Sequence, residues 1–122
     1  MSDPDAFVAI CPSRPLMARL GDKWATLMLV ALADGPYRFG ELHRRLEGIS
    51  KKMLTQTARN LERDGLVSRT LYDERPLRVE YKLTVLGETI VPHVKALKAW
   101  AESYWKTVEA AQLEFDKAHN GT

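Results

Sequence analysis

The pattern that most restricts how this chain can fold lies in its last third. From about Thr84 to about His119 the sequence reads as one long helix. Within it Val94, Leu97, Ala101, Tyr104, Val108, Ala111 and Phe115 follow one another in alternating steps of three and four residues, about three heptads of an a/d seam. Thr84 is the expected N-cap and Asn120-Gly121 the expected end. Pro92 is expected to kink the helix, because its ring removes a backbone hydrogen bond. The chain has 122 residues, 45% of them hydrophobic and 28% charged, which supplies one core and little more. Such a core cannot cover the stripe along its whole length, so the stripe requires a partner helix. Two candidates exist: a second copy across a two-fold axis, and the second helix of the same chain. The need of a small domain for extra burial favours the copy, with Val94, Leu97, Ala101, Tyr104 and Val108 in the interface.

The residues before this helix divide into five segments with recognisable ends, and the whole chain, 1–122, reads as one domain. A short helix covers about Ser13 to Leu20, with Ser13 as N-cap and Pro15 in the first turn. A second runs from Lys23 to Ala33 behind the cap Asp22; Trp24, Leu27, Met28, Ala31 and Leu32 form its apolar stripe, and Asp34-Gly35-Pro36 stops it. A third spans about Gly40 to Leu46, with Phe39, Leu42 and Leu46 facing inward, and Glu47-Gly48-Ile49 turns the chain. The fourth starts at the cap Ser50 and ends at Asp64-Gly65, burying Leu54, Ala58 and Leu61. Leu66 to Tyr72 and Val79 to Leu83 then have the β-branched and aromatic composition of strands, joined by the charged loop Asp73 to Arg78.

Helix, short helix, tight turn, polar helix, hairpin and long helix, in that order, make a mostly helical α+β fold: a winged helix-turn-helix over 12–83, followed by a long helix over 84–119. The chemistry of the fourth helix agrees. Lys52, Thr55, Gln56 and Arg59 are spaced to share one face, opposite the buried stripe. A helix in the DNA major groove, about 12 Å wide, needs such a face. Gln56 can pair with adenine, Arg59 or Lys52 can reach guanine or phosphate, and Ser50 and Lys51 lie where helix N–H groups favour phosphate. On the hairpin loop, Arg75 and Arg78 can reach a flanking groove or backbone, although Asp73 and Glu74 dilute their charge. The net charge is only +2, but its distribution is uneven. Arg38 to Arg69 holds eight basic and four acidic residues, including Arg38 itself, and the flanks are near neutral.

The remaining chemistry is sparse. Cys11 is the only cysteine, so no internal disulfide can form, and it stands just before a helix and near Arg14, which can lower its pKa. The opposing reading makes it a small buried hydrophobe. Trp24 belongs to the core; Trp100 and Trp105 flank the seam, where they fill an interface or line an effector pocket. His43, His93 and His119 are scattered without metal-ligand spacing, and no phosphate loop or catalytic constellation occurs. No enzyme activity, metal or cofactor is expected. No apolar run approaches the roughly 20 residues of a membrane span, and the N-terminus lacks the basic start of a secretory signal, so a cytoplasmic location is expected.

Six pieces of the sequence carry a resemblance to the HxlR family of winged-helix regulators. They are Cys11-Pro12, Gly21-Asp22-Lys23-Trp24, Arg38-Phe39-Gly40-Glu41-Leu42, Gly48-Ile49-Ser50, Leu61-Glu62-Arg63-Asp64-Gly65-Leu66-Val67, and Val79-Glu80-Tyr81-Lys82-Leu83-Thr84 with Gly87. The resemblance implies a dimeric regulator that binds double-stranded DNA, with dimer contacts from the first and last helices. It also implies that Cys11 stands where several members carry a thiol that senses oxidants, quinones or aldehydes. Two departures stand out: Gly21-Asp22 replaces the usual pair of glycines, and the loop reads Arg75-Pro76-Leu77-Arg78 where a second proline is usual. The expected function is therefore sequence-specific regulation at a pseudo-palindromic operator, with a small-molecule or electrophile effector. A winged-helix module that binds only protein, and an accessory or carrier built on Trp100 and Trp105, are the alternatives; the basic fourth helix argues against the first of these.

Overall fold

A computed structural model describes residues 3–120 of the chain. Its elements are α1 (Ser13–Leu20), α2 (Lys23–Leu32), β1 (Tyr37–Arg38), α3 (Phe39–Arg45), α4 (Lys51–Arg63), β2 (Val67–Tyr72), β3 (Arg78–Leu83) and α5 (Val85–His119). The helix starts follow local chemistry. Carboxylate or hydroxyl oxygens of Asp22, Ser50 and Thr84 accept from the backbone N–H groups of Trp24, Met53 and Gly87, each at 3.0 Å. The expected cap Ser13 is instead the first helical residue of α1. Pro12 precedes it and makes no side-chain cap bond. The turn before α4 closes through a bond from Ile49 N–H to the Leu46 carbonyl and a positive φ of 95° at Gly48, which a side chain would strain. Gly121, expected in the last stop, lies outside the described residues.

The centre of the fold is α2, which touches α1, α3, α4, α5 and β3. It therefore buries Ala25, Thr26 and Leu29 as well as Met28, Ala31 and Leu32, more than one stripe of its surface. Leu42, Leu46 and Ile49 from α3 and its turn, Leu54, Ala58 and Leu61 from α4, and Val67 and Tyr81 from the sheet complete the core. Each large aliphatic side chain buried there stabilises the fold by about 1.5–3 kcal/mol over leaving it exposed. Trp24 and Leu27, expected in the buried stripe of α2, are only partly buried and pack against the edge of the cluster.

The sheet has three antiparallel strands in the order β1-β3-β2. The hairpin pairs Val67 with Leu83 and Tyr72 with Arg78, and two residues that sequence patterning leaves as loop, Tyr37 and Arg38, pair with Tyr81 and Glu80. At the far end of the hairpin Thr84 ties α5 down. Its N–H donates to the Leu66 carbonyl and its hydroxyl to the Gly65 carbonyl. A Cβ on Gly87 would stand 2.0 Å from the Leu66 carbonyl oxygen, so only glycine allows this close approach of α5 to the strand.

The long helix continues through Pro92 and spans about 50 Å at 1.5 Å per residue. Only its first turns join the core. Val94, placed by the heptad spacing on a seam between chains, is 4% exposed and lies in this chain's own core, because α2 covers that end of α5. Beyond it α5 leaves the core, and every residue from Ala99 to His119 is exposed, Ala101, Tyr104 and Val108 among them. Leu97 is exposed as well.

Candidate nucleic-acid interface

The helix α4 is locked on one side and open on the other. Leu54, Thr57, Ala58 and Leu61 are buried, while Lys51, Lys52, Met53, Thr55, Gln56, Arg59, Glu62 and Arg63 are exposed. A polar helix whose depth and rotation are set by four buried side chains presents its outer residues rigidly. Local bonds restrain them further. The Thr55 hydroxyl donates to the Lys51 carbonyl at 2.9 Å, and the Gln56 side-chain amide donates to Asn60 Oδ1 at 3.1 Å. Asn60 thus orients Gln56, a role that the i, i+4 spacing made available but that the pattern of polar residues alone does not single out.

The four residues expected on one face divide into two neighbouring stripes. Thr55, Arg59 and Glu62 turn toward the sheet, where with Phe39, Arg69, Val79 and Tyr81 they line a cleft of about 440 Å³. Lys52 and Gln56 lie outside that cleft. Arg69 stands directly across from Tyr81 in the strand register. Burial pushes the Tyr81 phenol above its usual range, and the Arg69 and Arg59 charges oppose that shift less strongly than burial drives it. The phenol is therefore a neutral O–H. Arg69 and Tyr81 escape a reading by helical face because they arrive from another element.

Arg38 is exposed at the start of α3, where its backbone N–H donates to Glu41 Oε1 at 2.7 Å. The two hairpin arginines differ from each other. Arg75 is exposed at the loop. Arg78 is half-buried on the hairpin itself: its guanidinium lies 4.0 Å from the centroid of the Tyr72 ring and 3.2 Å from Glu74. Strand pairing puts Tyr72 opposite it and the i, i+4 spacing puts Glu74 beside it, so Arg78 is held by the hairpin and does not project from it as Arg75 does.

Cys11 is 8% exposed but stands apart from the contiguous core. Its Sγ lies 3.0 Å from Ser13 Oγ, and hydrogen bonding to the Ser13 side chain and then to the Ser13 backbone lowers the thiol below its usual range, with burial acting in the opposite direction. Arg14, expected to supply that effect, has no part in it. Its guanidinium donates to the carbonyls of Ala6 and Phe7 at 3.0 and 3.2 Å. Trp100 stacks on Tyr104 at 5.3 Å on the exposed part of α5, and Trp105 is exposed beside it. Among the described residues there is no cluster of three or more side chains that could hold a metal ion, and no helix long and apolar enough to cross a membrane.

Comparison with known proteins agrees with this architecture. The family model of the HxlR-like helix-turn-helix matches residues 19–109. The HTH-type transcriptional regulator YtfH of Escherichia coli (strain K12) is 41% identical over 102 residues, which cover 84% of this chain and 81% of that protein. Among solved structures, the transcriptional regulator ytfH from Salmonella typhimurium superposes with a TM-score of 0.85 at 41% identity, covering 90% of this chain and 98% of that one. The redox regulator HypR in its reduced form superposes with a TM-score of 0.73 at 37% identity, covering 81% and 98%.

Proposed function

The chain belongs to the HxlR-like helix-turn-helix family of transcription regulators, and from that premise we propose that it binds a pseudo-palindromic operator in double-stranded DNA as a homodimer. In this reading 1–122 is one functional unit. The α4 helix enters the major groove, Lys52 and Gln56 face the bases, and Ser50, Lys51, Arg38 and Arg75 face backbone or flanking DNA. The observation that carries the reading is α4 itself, whose buried side is fixed by Leu54, Ala58 and Leu61 while its open side is basic and amide-bearing. The partner is a second copy. Leu97, Ala101, Tyr104 and Val108 continue along α5 as an exposed apolar stripe, and exposed Leu16 and Met17 on α1 add further apolar surface. A two-fold dimer sets its half-sites about one DNA turn, 34–36 Å, apart.

The thiol gives this reading a regulatory input. HypR is a redox regulator, and Cys11 carries a lowered pKa beside Ser13. With one cysteine per chain the available products are a disulfide between two chains, a mixed disulfide with a small thiol, or an adduct. A quinone needs no further oxidant: the thiolate adds to a ring carbon, an S–C bond forms as the C=C π pair moves to a carbonyl oxygen, and a proton from solvent together with the proton lost from the attacked carbon puts both oxygens at the hydroquinone level.

The test is a titration of protein into labelled DNA from upstream of its own gene and into unrelated DNA, at two salt concentrations, with and without a quinone. The expected result is tight, salt-sensitive and selective binding that the quinone abolishes in the wild type and not in Cys11→Ser. Equal binding to both DNAs, or none, overturns the regulator reading in favour of a protein-interaction module. Selective binding indifferent to the quinone removes the thiol input alone.

A further inference from the structure

We infer that the cleft between α4 and the sheet is a phosphate clamp, in which Arg59 from the helix and Arg69 from β2 hold one backbone phosphate of bound DNA between them. The inference rests on the DNA-binding reading above and assigns residues within it. Neither arginine is in an ion pair among the described residues. The contrast with other arginines is informative: Arg19 is paired with Asp64 at 2.8 Å, Arg78 with Glu74, and Arg14 is hydrogen-bonded to backbone carbonyls. Arg38, Arg44, Arg45, Arg63 and Arg75 are also outside any ion pair among the described residues; what sets Arg59 and Arg69 apart is that they stand together in the concave site formed by α4 itself and the sheet, beside the helix that would lie in the groove.

The charges and the donors both suit a phosphate. Glu62 offsets one of the two positive charges, so the cleft has one in excess, matching the single negative charge of a phosphodiester. The Thr55 side chain lines the cleft with its O–H already donated to the Lys51 carbonyl, so the donors on offer are the two guanidiniums and the Tyr81 O–H, which stays protonated under burial. The walls belong to elements already fixed by the core, α4 through Leu54, Ala58 and Leu61 and the sheet through Val67 and Tyr81, so the grip needs little reorganisation. Arg59 is thereby assigned to the backbone, and base reading falls to the stripe outside the cleft, where Gln56 and Lys52 stand. The clamp fixes how deep and at what register α4 sits, and carries no sequence information itself.

The experiment measures affinity of the full chain for selected and unrelated DNA across a salt series, for wild type, Arg59→Gln, Arg69→Gln, the double variant and Gln56→Ala. Each arginine variant is expected to weaken both DNAs by the same factor, roughly tenfold for one charge-assisted contact. The slope of log affinity against log salt should fall by about 0.9 per clamp, about 1.8 for a dimer with two. The double variant should lower the slope no further than a single one, because both arginines hold the same phosphate. Gln56→Ala should do the opposite and lose selectivity at an unchanged slope. Arg69→Lys should restore the slope and part of the affinity, since an ammonium keeps the charge without the guanidinium fork; this distinguishes lost contact from lost folding. An unchanged slope in Arg69→Gln overturns the clamp while leaving the regulator reading intact if wild type is selective. Loss of selectivity in Arg59→Gln also overturns it.

Discussion

Two amphipathic helices, α4 and α5, treat the same problem in opposite ways. The α4 helix buries its apolar side in the core and turns a polar, basic side to solvent. The α5 helix buries only the turns up to Val94 and then carries its apolar side out of the core, with Trp100 and Tyr104 more than half or half exposed. The difference teaches that amphipathicity alone does not say what a helix face is for. What the core covers and what it leaves bare decides the chemistry of the partner. A bare basic face meets an anionic polymer, and a bare apolar face meets another apolar face.

The largest effect that can break this contrast is expected on α5. Replacing Leu97 and Tyr104 together by Glu should convert the proposed dimer to monomer in sedimentation velocity and lower operator affinity by about 10²–10⁴, the gain that linking two half-site contacts provides. The folded core should survive, since both positions are exposed. A dimeric, tight-binding double variant would show that the bare stripe of α5 serves another partner. Next comes the joint between the two regions. Gly87→Ala puts a methyl carbon into the Leu66 carbonyl and should cost about 3 kcal/mol, the upper range for overpacking, seen as a lower Tm by circular dichroism. An unchanged Tm would mean that α5 can shift off the hairpin without loss.

Smaller effects are expected on α4 and sharpen its half of the contrast. Gln56→Ala should cost about 1–3 kcal/mol of discrimination between the correct base and a mismatch while leaving affinity for unrelated DNA intact. Binding assays on operators substituted one position at a time would detect this, and equal losses on every sequence would move Gln56 from the bases to the backbone. Ser50→Ala removes the acceptor for the Met53 N–H and should lower stability by about 1 kcal/mol in denaturant unfolding. A neutral result would mean that the core contacts of α4 outweigh its cap.

Much of this protein was legible from local sequence, because the physics involved acts over one helical turn. Caps at Asp22, Ser50 and Thr84, the turn at Gly48 and the stop at Gly65 all depend on neighbours a few residues apart, and they set the element boundaries to within a residue or two. The two sides of α4 follow from the same short-range spacing, as do the helix-turn-helix order and the exposed basic residues on α4. Tertiary structure decided whatever depends on residues far apart in the chain. Tyr37 and Arg38 become a strand only because β3 lies beside them. Val94 leaves the seam because α2 covers it, and Arg78 folds onto the hairpin because pairing places Tyr72 opposite. Arg59 faces Arg69 and Tyr81, and not its helical neighbours, because packing fixes the rotation of α4 against the sheet. Periodicity says that a face exists; only the packed neighbours of that face determine which way it looks.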